Sequence, residues 1–598
     1  MPVKKEQFLI VNDDLQKVID VDDSRGRSCP INMNFIEEGY LSKDTGCALF
    51  GAATAALFHS LYHFKKKSGT SYILGVTGTK LKRYDTTTSD WIDVTSGTVT
   101  MTIATPAVVS QTAHGLKAGS KITFSTTGAL PTGVTAGTTY YVIATGLTAD
   151  AFQFSTSAGG AAVNTSGTQS GTHTLIRLYT EGSRFGYVTY DDNLYFGNTT
   201  ENYTKFTGTA FTEYDTAPKG NIMEVFEDRV FVAGVTAEPL SVYYSKIADP
   251  VDFTVSSSAG GVVKPLGTDF ITNLKSYYSQ LLIFKAESIW KLTFVYDSVV
   301  TLFVPKLELQ SGNYGACSRQ SVSWVENDLW FFTGREVRSI GYRDQQLGVL
   351  GVNSSVISDQ IKETLYNILP ENYGRVAVFY NKRRFYLSVP LEDSVNDTVF
   401  VSHLLYKAAW TKYTDRIKAS CEDFIEIDGD IYSAKSSASY GVLKWSDVLL
   451  ADNATAISCE VFFKRIEDKE FNRFTTHRYL DLMFKDLQAA ITVTVKQDAN
   501  DIRYSKSSQF FIGTSTENEN GAIGEVNFGQ LLYGDAFGET IETSPFLKSR
   551  VSYLLKAQSL TIGLSNSGLG DTFTLAQFAI SGSKEVRKLF KKESIVSM

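Results

Sequence analysis

Between residues 71 and 445 the chain repeats one pattern: an alternating apolar and aromatic strand, a tight turn of Asp, Asn, Glu or Gly, then a second aromatic strand. The copies run Ser71–Val94, Phe185–Tyr214, Ile222–Phe253, Ile271–Phe294, Ser321–Tyr342, Val376–Tyr413 and Asp423–Trp445. The turn falls on Asp191–Asn193 in GYVTYDDNLYFGN, on Glu227–Asp228 in MEVFEDRVFVAG, on Asn327–Asp328 in SVSWVENDLWFFTG and on Asp428–Gly429 in DFIEIDGDIYSAK. Alternation of Tyr, Phe, Val and Ile at period two describes packed strands, and Leu329–Phe331 and Phe385–Leu387 place bulky residues on both sheet faces. A unit of about four short strands recurring every ~30–50 residues is the signature of a propeller blade. One blade leaves its faces uncovered, and closing a ring of about six or seven covers them. A row of β-sandwiches with similarly spaced hairpins is the competing arrangement.

Two stretches break the period. Residues 99–176 are rich in Thr, Gly, Ala and Ser and nearly free of charge, yet KITF, TYYVIA and AFQFS alternate as strands. They predict a small β-module inserted into a blade loop. SDQIKETLYNIL predicts a helix over Ser358–Leu369, capped by Ser358, with Ile361, Leu365 and Ile368 on one face and Pro370 ending it. From about residue 456 the strands lengthen, in CEVFFKRI, HRYLDLMF, AITVTVKQD, GEVNFGQLLY, RVSYLLKAQSLTIGLSNS and FTLAQFAISG, as in an antiparallel sandwich. The expected organisation is a segment 1–60 joining the ring or propeller, a propeller over 61–98 and 177–455, the module at 99–176, a β-sandwich or tube-forming domain at 456–582 and a basic tail at 583–598. Within the first segment, Asp20–Arg27 is polar, and Gly39 and Gly46 read as turn points. The fold class is therefore all-β.

Composition agrees with this picture and narrows the function. Aromatic residues make up 13% of the 598, and the formal net charge is −7. An acidic chain argues against tight nucleic-acid binding through phosphates. Cys29, Cys47, Cys317, Cys421 and Cys459 are odd in number and scattered, which argues against a disulfide framework or a structural zinc site. The start MPVKKEQFLIVNDD has no secretory pattern, and Ala48–Leu57 is too short to span a bilayer, so a soluble, non-exported chain is expected.

The candidate chemistry is sparse. His59 and His63 are four apart, which suits one helix face, but HSLYH lacks the Glu of a zinc hydrolase motif. His114 in HGLKAG reads as a turn residue; His173, His403 and His477 stand alone. Neither a GxSxG elbow nor a GxxxxGK[ST] loop occurs. Asp191, Asp192, Glu227, Asp228, Asp328, Asp428 and Asp430 are abundant carboxylates, but they recur at equivalent turns, where Asp and Asn serve the backbone. Lys65–Lys67, Lys382–Arg384 and the C-terminal Lys584, Arg587, Lys588, Lys591 and Lys592 form basic groups that read as solvated faces, the tail with a further capacity for an acidic partner. No catalytic residue, cofactor or metal is expected, and the chain reads as a non-enzyme.

AHGLKAGSKITFSTTGALPTGVTAGTTYYV, AFQFSTSAGGAAV and TSGTQSGTHT resemble a small β-module recurrent in bacteriophage tail and other virion proteins. PINMNFIEEGYLSKDTGCALFG resembles the opening of phage tail proteins, with Lys43 and Asp44 standing where that pattern has Arg and Pro. The layout as a whole resembles the tail hub, or nozzle, of short-tailed phages. That resemblance implies a hexameric ring below the portal and adaptor, a conduit for DNA ejection and a platform for fibres or spikes. It also implies a place in the virion tail after assembly in the host cytoplasm, with DNA passing the lumen unbound and no membrane insertion. A receptor-binding or glycan-adhesion protein, using exposed aromatics such as Tyr140 and Tyr141, is the first alternative. A carbohydrate-active propeller enzyme is the second.

Overall fold

The computed structural model describes residues 4–12, 29–36, 40–256, 260–299, 302–344, 349–352, 355–391, 394–404, 409–436, 440–463, 466–467, 475–487, 491–498, 506–512, 547–557, 559–569, 571 and 573–586. The expected strand GEVNFGQLLY, the polar segment Asp20–Arg27, Gly39 and the tail beyond 586 lie outside them. The fold is all-β: a propeller, an inserted small β-domain and a C-terminal β-sandwich.

The propeller has seven blades, each a four-stranded antiparallel sheet. Blade one holds Phe58–Lys65, Ser71–Thr77, Lys80–Asp85 and Asp90–Asp93. Blades two to six start at Gly186, Ile222, Ile271, Val322 and Ala377. Blade seven takes Cys421–Ile427, Asp430–Lys435 and Tyr440–Trp445 from the end of the repeat and its outermost strand, Cys47–Thr54, from the N-terminal segment. Each neighbouring pair of blades shares its own buried cluster, seven clusters for seven interfaces, which is the ring-closure argument in physical form. In blades two to seven the first hairpin turns on two residues: Asp191–Asp192, Glu227–Asp228, Tyr278–Ser279, Glu326–Asn327, Lys382–Arg383 and Asp428–Gly429. Such short turns need positive φ at the first residue and often at both, matching the right-handed twist of the strands.

The inserted module is a seven-stranded antiparallel sheet from Thr95–Met101 to His173–Leu178, so it opens and closes a few residues outside the expected 99–176. Phe124, Phe152 and Phe154 fill its core. A buried clamp fixes it to blade two. Arg177 pairs with Glu213, donates to the His114 carbonyl at 2.7 Å and lies over the Phe211 ring. Glu213 also accepts from Ser120 at 2.5 Å and Asn202 at 3.0 Å.

The chain ends meet in the C-terminal domain. In one sheet Lys4–Asn12 pairs antiparallel with Phe573–Val586, and Met33–Phe35 and Leu41–Lys43 extend the same sheet, which continues through Thr475–Leu487 and Leu547–Ala557. The second sheet contains Cys459–Phe462, Ser559–Asn566, Ile491–Asp498 and Lys506–Ile512. The N-terminal segment thus serves both bodies, sandwich first and propeller second, and the propeller begins at Cys47, ahead of residue 61. The strand Phe573–Val586 runs past 582, so the first residues assigned to a tail are sheet. The 358–369 segment is shorter as a helix than its periodicity predicts: a 3₁₀ turn Asp359–Ile361, one α-turn Lys362–Leu365 and a further 3₁₀ turn Pro370–Arg375. Ile361, Leu365 and Ile368 are buried as the pattern requires. Ser358 caps nothing; its hydroxyl accepts the Val337 N–H at 2.8 Å, tying the segment to blade five.

Between sandwich and propeller lies a buried ion network. Asp44 accepts from Arg416 at 2.6 Å and Lys418 at 2.8 Å, Arg416 also pairs with Asp452 at 2.7 Å, and the Tyr413 hydroxyl donates to Asn34 at 2.7 Å. Lys43 donates to Asn566 at 2.7 Å on the sandwich side. Gly46 passes so close that a Cβ would sit 1.8 Å from the Ala451 carbonyl oxygen. Burial alone would raise the Asp44 carboxyl, but Lys418 and Arg416 override it and hold the group at about 2. A carboxyl whose folded pKa lies below its unfolded value of about 3.9 stabilises the fold above that value and loses the contribution as pH falls through the folded one. Acid should therefore loosen this junction between roughly pH 4 and pH 2. Asp44→Asn, which leaves the buried Lys418 without a carboxylate and Arg416 with Asp452 alone, should cost ~3–5 kcal/mol in urea unfolding at pH 7 and flatten that acid limb.

Candidate functional site on the propeller axis

The first strand of every blade lines the axis, and the residues just before those strands decide what fills it. Arg319 precedes blade five and reaches across the ring, donating to the Phe185 carbonyl at 2.6 Å and the Ser60 hydroxyl at 3.3 Å. Asn273 of blade four donates to the Arg319 carbonyl at 2.5 Å. Gln320 donates to Asp423 of blade seven, which also accepts the Leu61 N–H at 2.9 Å. Arg184 precedes blade two and bonds Glu422 at 2.5 Å; Arg375, ahead of blade six, bonds the same carboxylate at 2.7 Å. The axis is thus crossed by side-chain spokes between blades that are not neighbours. What remains open is a polar recess of about 150 Å³ bordered by Tyr62, Tyr187, Glu224, Lys275 and Arg319.

The electrostatics follow from burial. Burial draws the Arg319 guanidinium down to about 10, so it stays charged at neutral pH. Burial raises the Asp423 carboxyl, partly offset by Arg319 and by the Leu61 N–H. Glu422 is 1% exposed and is reached by two arginines, Arg184 and Arg375, that are themselves partly open to solvent. These carboxylates hold the ring together and are committed to that geometry.

The residues weighed from sequence are dispersed. Asp191, Asp192, Glu227, Asp228 and Asp428 sit in the two-residue turns with φ between 41° and 58°, and Asp328 and Asp430 open the strands that follow. The Tyr190 hydroxyl donates to Asp228 at 2.7 Å, the Lys67 N–H to Asp192 at 2.7 Å, and Lys444 to Asp430 at 3.0 Å. His59 and His63 lie on the strand Phe58–Lys65 of blade one, not on a helix; His63 bonds Ser71 at 2.6 Å. Burial lowers His59, His114 and His403 from the usual imidazole range. His114 accepts the Leu116 N–H at 3.0 Å, His173 bonds Thr126 at 2.8 Å, and His403 bonds Thr411 at 3.2 Å. His477 belongs to the strand Thr475–Leu487. Among the described residues no group of three His, Cys, Asp or Glu side chains could hold a metal ion. All five cysteines are free thiols, and burial pushes Cys317 and Cys421 up to about 12 and Cys459 up to about 11. Tyr140 corrects the expectation of an exposed aromatic: it is 2% exposed, packs on Phe124 and Phe154, and its hydroxyl accepts the Thr135 N–H at 2.9 Å. Tyr141, its neighbour on Tyr140–Val142, is half-buried at the module–blade junction.

Sequence reasoning passed over the axial residues. Their signal is a charged or amide residue immediately before a blade's first apolar run, as in SRQSVSWV and CEDFIEI.

No family model and no curated protein matches the chain. Among solved structures, the computationally designed Ika8 protein is similar at a TM-score of 0.31 and 11% identity, over 67% of this chain and 99% of that one. PorZ, a bacterial surface component of the type-IX secretion system of Porphyromonas gingivalis, is similar at 0.28 and 9%, over 69% and 44%. An exo-β-1,3-galactanase from Phanerochaete chrysosporium is similar at 0.20 and 8%, over 66% and 95%. At these scores none of the three bears on function.

Replacing Arg319 by Met removes two charge-assisted spokes while keeping the stem. The variant should lose about 1.5–3 kcal/mol of stability, measured from urea midpoints, with its β-sheet circular dichroism unchanged. An unshifted midpoint would mean that the ring holds without the spoke.

Proposed function

We propose that the chain is a structural subunit of a bacteriophage tail, a nozzle or hub protein that assembles as a hexameric ring below the portal and adaptor. The observation that carries the reading is the crossed propeller axis. A propeller with Arg319, Arg184, Asp423 and Glu422 locked across its centre is a disc whose axis is spanned by side chains, leaving a recess of about 150 Å³. In this reading the disc is an outer platform for fibres or spikes, and the conduit for DNA lies between subunits, walled by the sandwich domains.

Two further features support it. The module, propeller and sandwich are fastened by buried ion pairs at both junctions, as suits a part that transmits force. The formal charge of −7 disfavours adhesion of DNA to a wall it must slide past. Identical subunits in such a ring meet through heterologous contacts closed by rotation. The chain would act without a cofactor and without catalysis, in the virion tail, after assembly in the host cytoplasm. Of the two aromatics that the adhesion alternative invokes, Tyr140 is core and Tyr141 is half-buried.

Analytical ultracentrifugation and negative-stain electron microscopy of the full chain, alone and with neighbouring tail proteins, test the proposal. Six-membered rings with a central lumen are expected. A monomer or trimer under every condition would overturn it.

A further inference from the structure

A cavity of about 290 Å³ opens between blades six and seven, where the hairpin turns of both blades meet the N-terminal segment. Four cations line it: Lys382, Arg383, Arg384 and Lys418. Three carboxylates line it as well, and each is already engaged. Asp44 holds Lys418 and Arg416, Asp430 holds Lys444 at 3.0 Å, and Asp447 holds Lys382 at 2.7 Å. Arg383 and Arg384 make no ion pair among the described residues. Arg384 hydrogen-bonds the Tyr386 side chain, and its guanidinium is largely shielded from solvent. Asp44 favours the charged form of Arg384 but is already bonded to Arg416 and Lys418, so an anion entering the cavity would meet guanidinium donors that no carboxylate occupies at close range.

The turn itself is unusual. The equivalent positions in the other five blades with such a turn carry Asp–Asp, Glu–Asp, Tyr–Ser, Glu–Asn and Asp–Gly, none of them cationic. Here Lys382 and Arg383 occupy it, with φ of 46° and 60°, in a region that L-residues other than Asn and Asp avoid. Arginine side chains bordering a cavity are suited to oxoanions, which they grip through paired N–H donors.

From these observations we infer that the cavity between blades six and seven binds a single oxoanion, a phosphate or carboxylate group, through Arg383 and Arg384, with Lys418 at its base. The anion is either free or borne by a carboxylate of a second copy of the chain.

The probe is inorganic phosphate, added to the full chain at constant ionic strength and followed by isothermal titration calorimetry and thermal unfolding. Saturable heat and a rising Tm are expected with the free anion. If a second copy supplies the group, phosphate should instead dissociate the assembled chain in sedimentation. Arg384→Gln should weaken either effect about tenfold or more. The paired change Lys382→Asn with Arg383→Gly installs the residues that such a turn prefers. It should leave Tm without phosphate equal or higher while weakening the phosphate effect, which separates binding from folding. Absence of any phosphate effect on heat, Tm or assembly, or full effects in both variants, would overturn the inference.

Discussion

A ring of sheets is only as stable as its seam. Six of the seven blades are made from consecutive strands; the seventh is completed by Cys47–Thr54, a strand from the other end of the chain. Its hydrogen bonds to Tyr440–Trp445 close the circle, and the Trp91 indole of blade one donates to its Phe50 carbonyl at 2.8 Å. Were the strand to leave, blade seven would expose a sheet edge and the ring would open where its first and last blades meet. The ion network at Asp44 stands immediately before this strand. It couples the seam to the sandwich, so propeller closure and domain docking are one event.

The axis and the seam solve different problems. Hydrophobic clusters between neighbouring blades are non-directional and would tolerate a ring of another size. Spokes such as Arg319 to Phe185 and Arg184 to Glu422 have fixed lengths, and they match only one diameter. Burying charge for this purpose brings little net stability, but it penalises alternative geometries in which a partner is missing.

Much of this was legible from sequence. The seven hairpin repeats announced themselves because aromatic alternation and Asp-rich turns are local signals. Cys47–Thr54 did not: CALFGAAT carries no aromatic period, and its partner lies some four hundred residues away. Lys43 and Asp44 stood out only as departures from a phage-tail pattern, and the structure places both in buried polar contacts at the junction. The axial set escaped because its members are single residues scattered over blades two, five and seven, brought together by the ring. The 358–369 segment shows the opposite failure. Its helical periodicity is real, but packing against blades five and six uses one face over barely more than a turn, and Pro370 begins the next 3₁₀ turn.

The seam also sets a timetable. A ribosome extends a chain at ~5–20 residues per second, so Cys47–Thr54 emerges roughly 20–80 s before Tyr440–Trp445 exists to receive it. The strand Lys4–Asn12 waits longer still, for Phe573–Val586. Blades one to six can form as they are made, but the circle closes only once Tyr440–Trp445 has been synthesised. A product terminated before Trp445 would therefore lack the completed disc, and one terminated before Phe573 the strand that receives Lys4–Asn12.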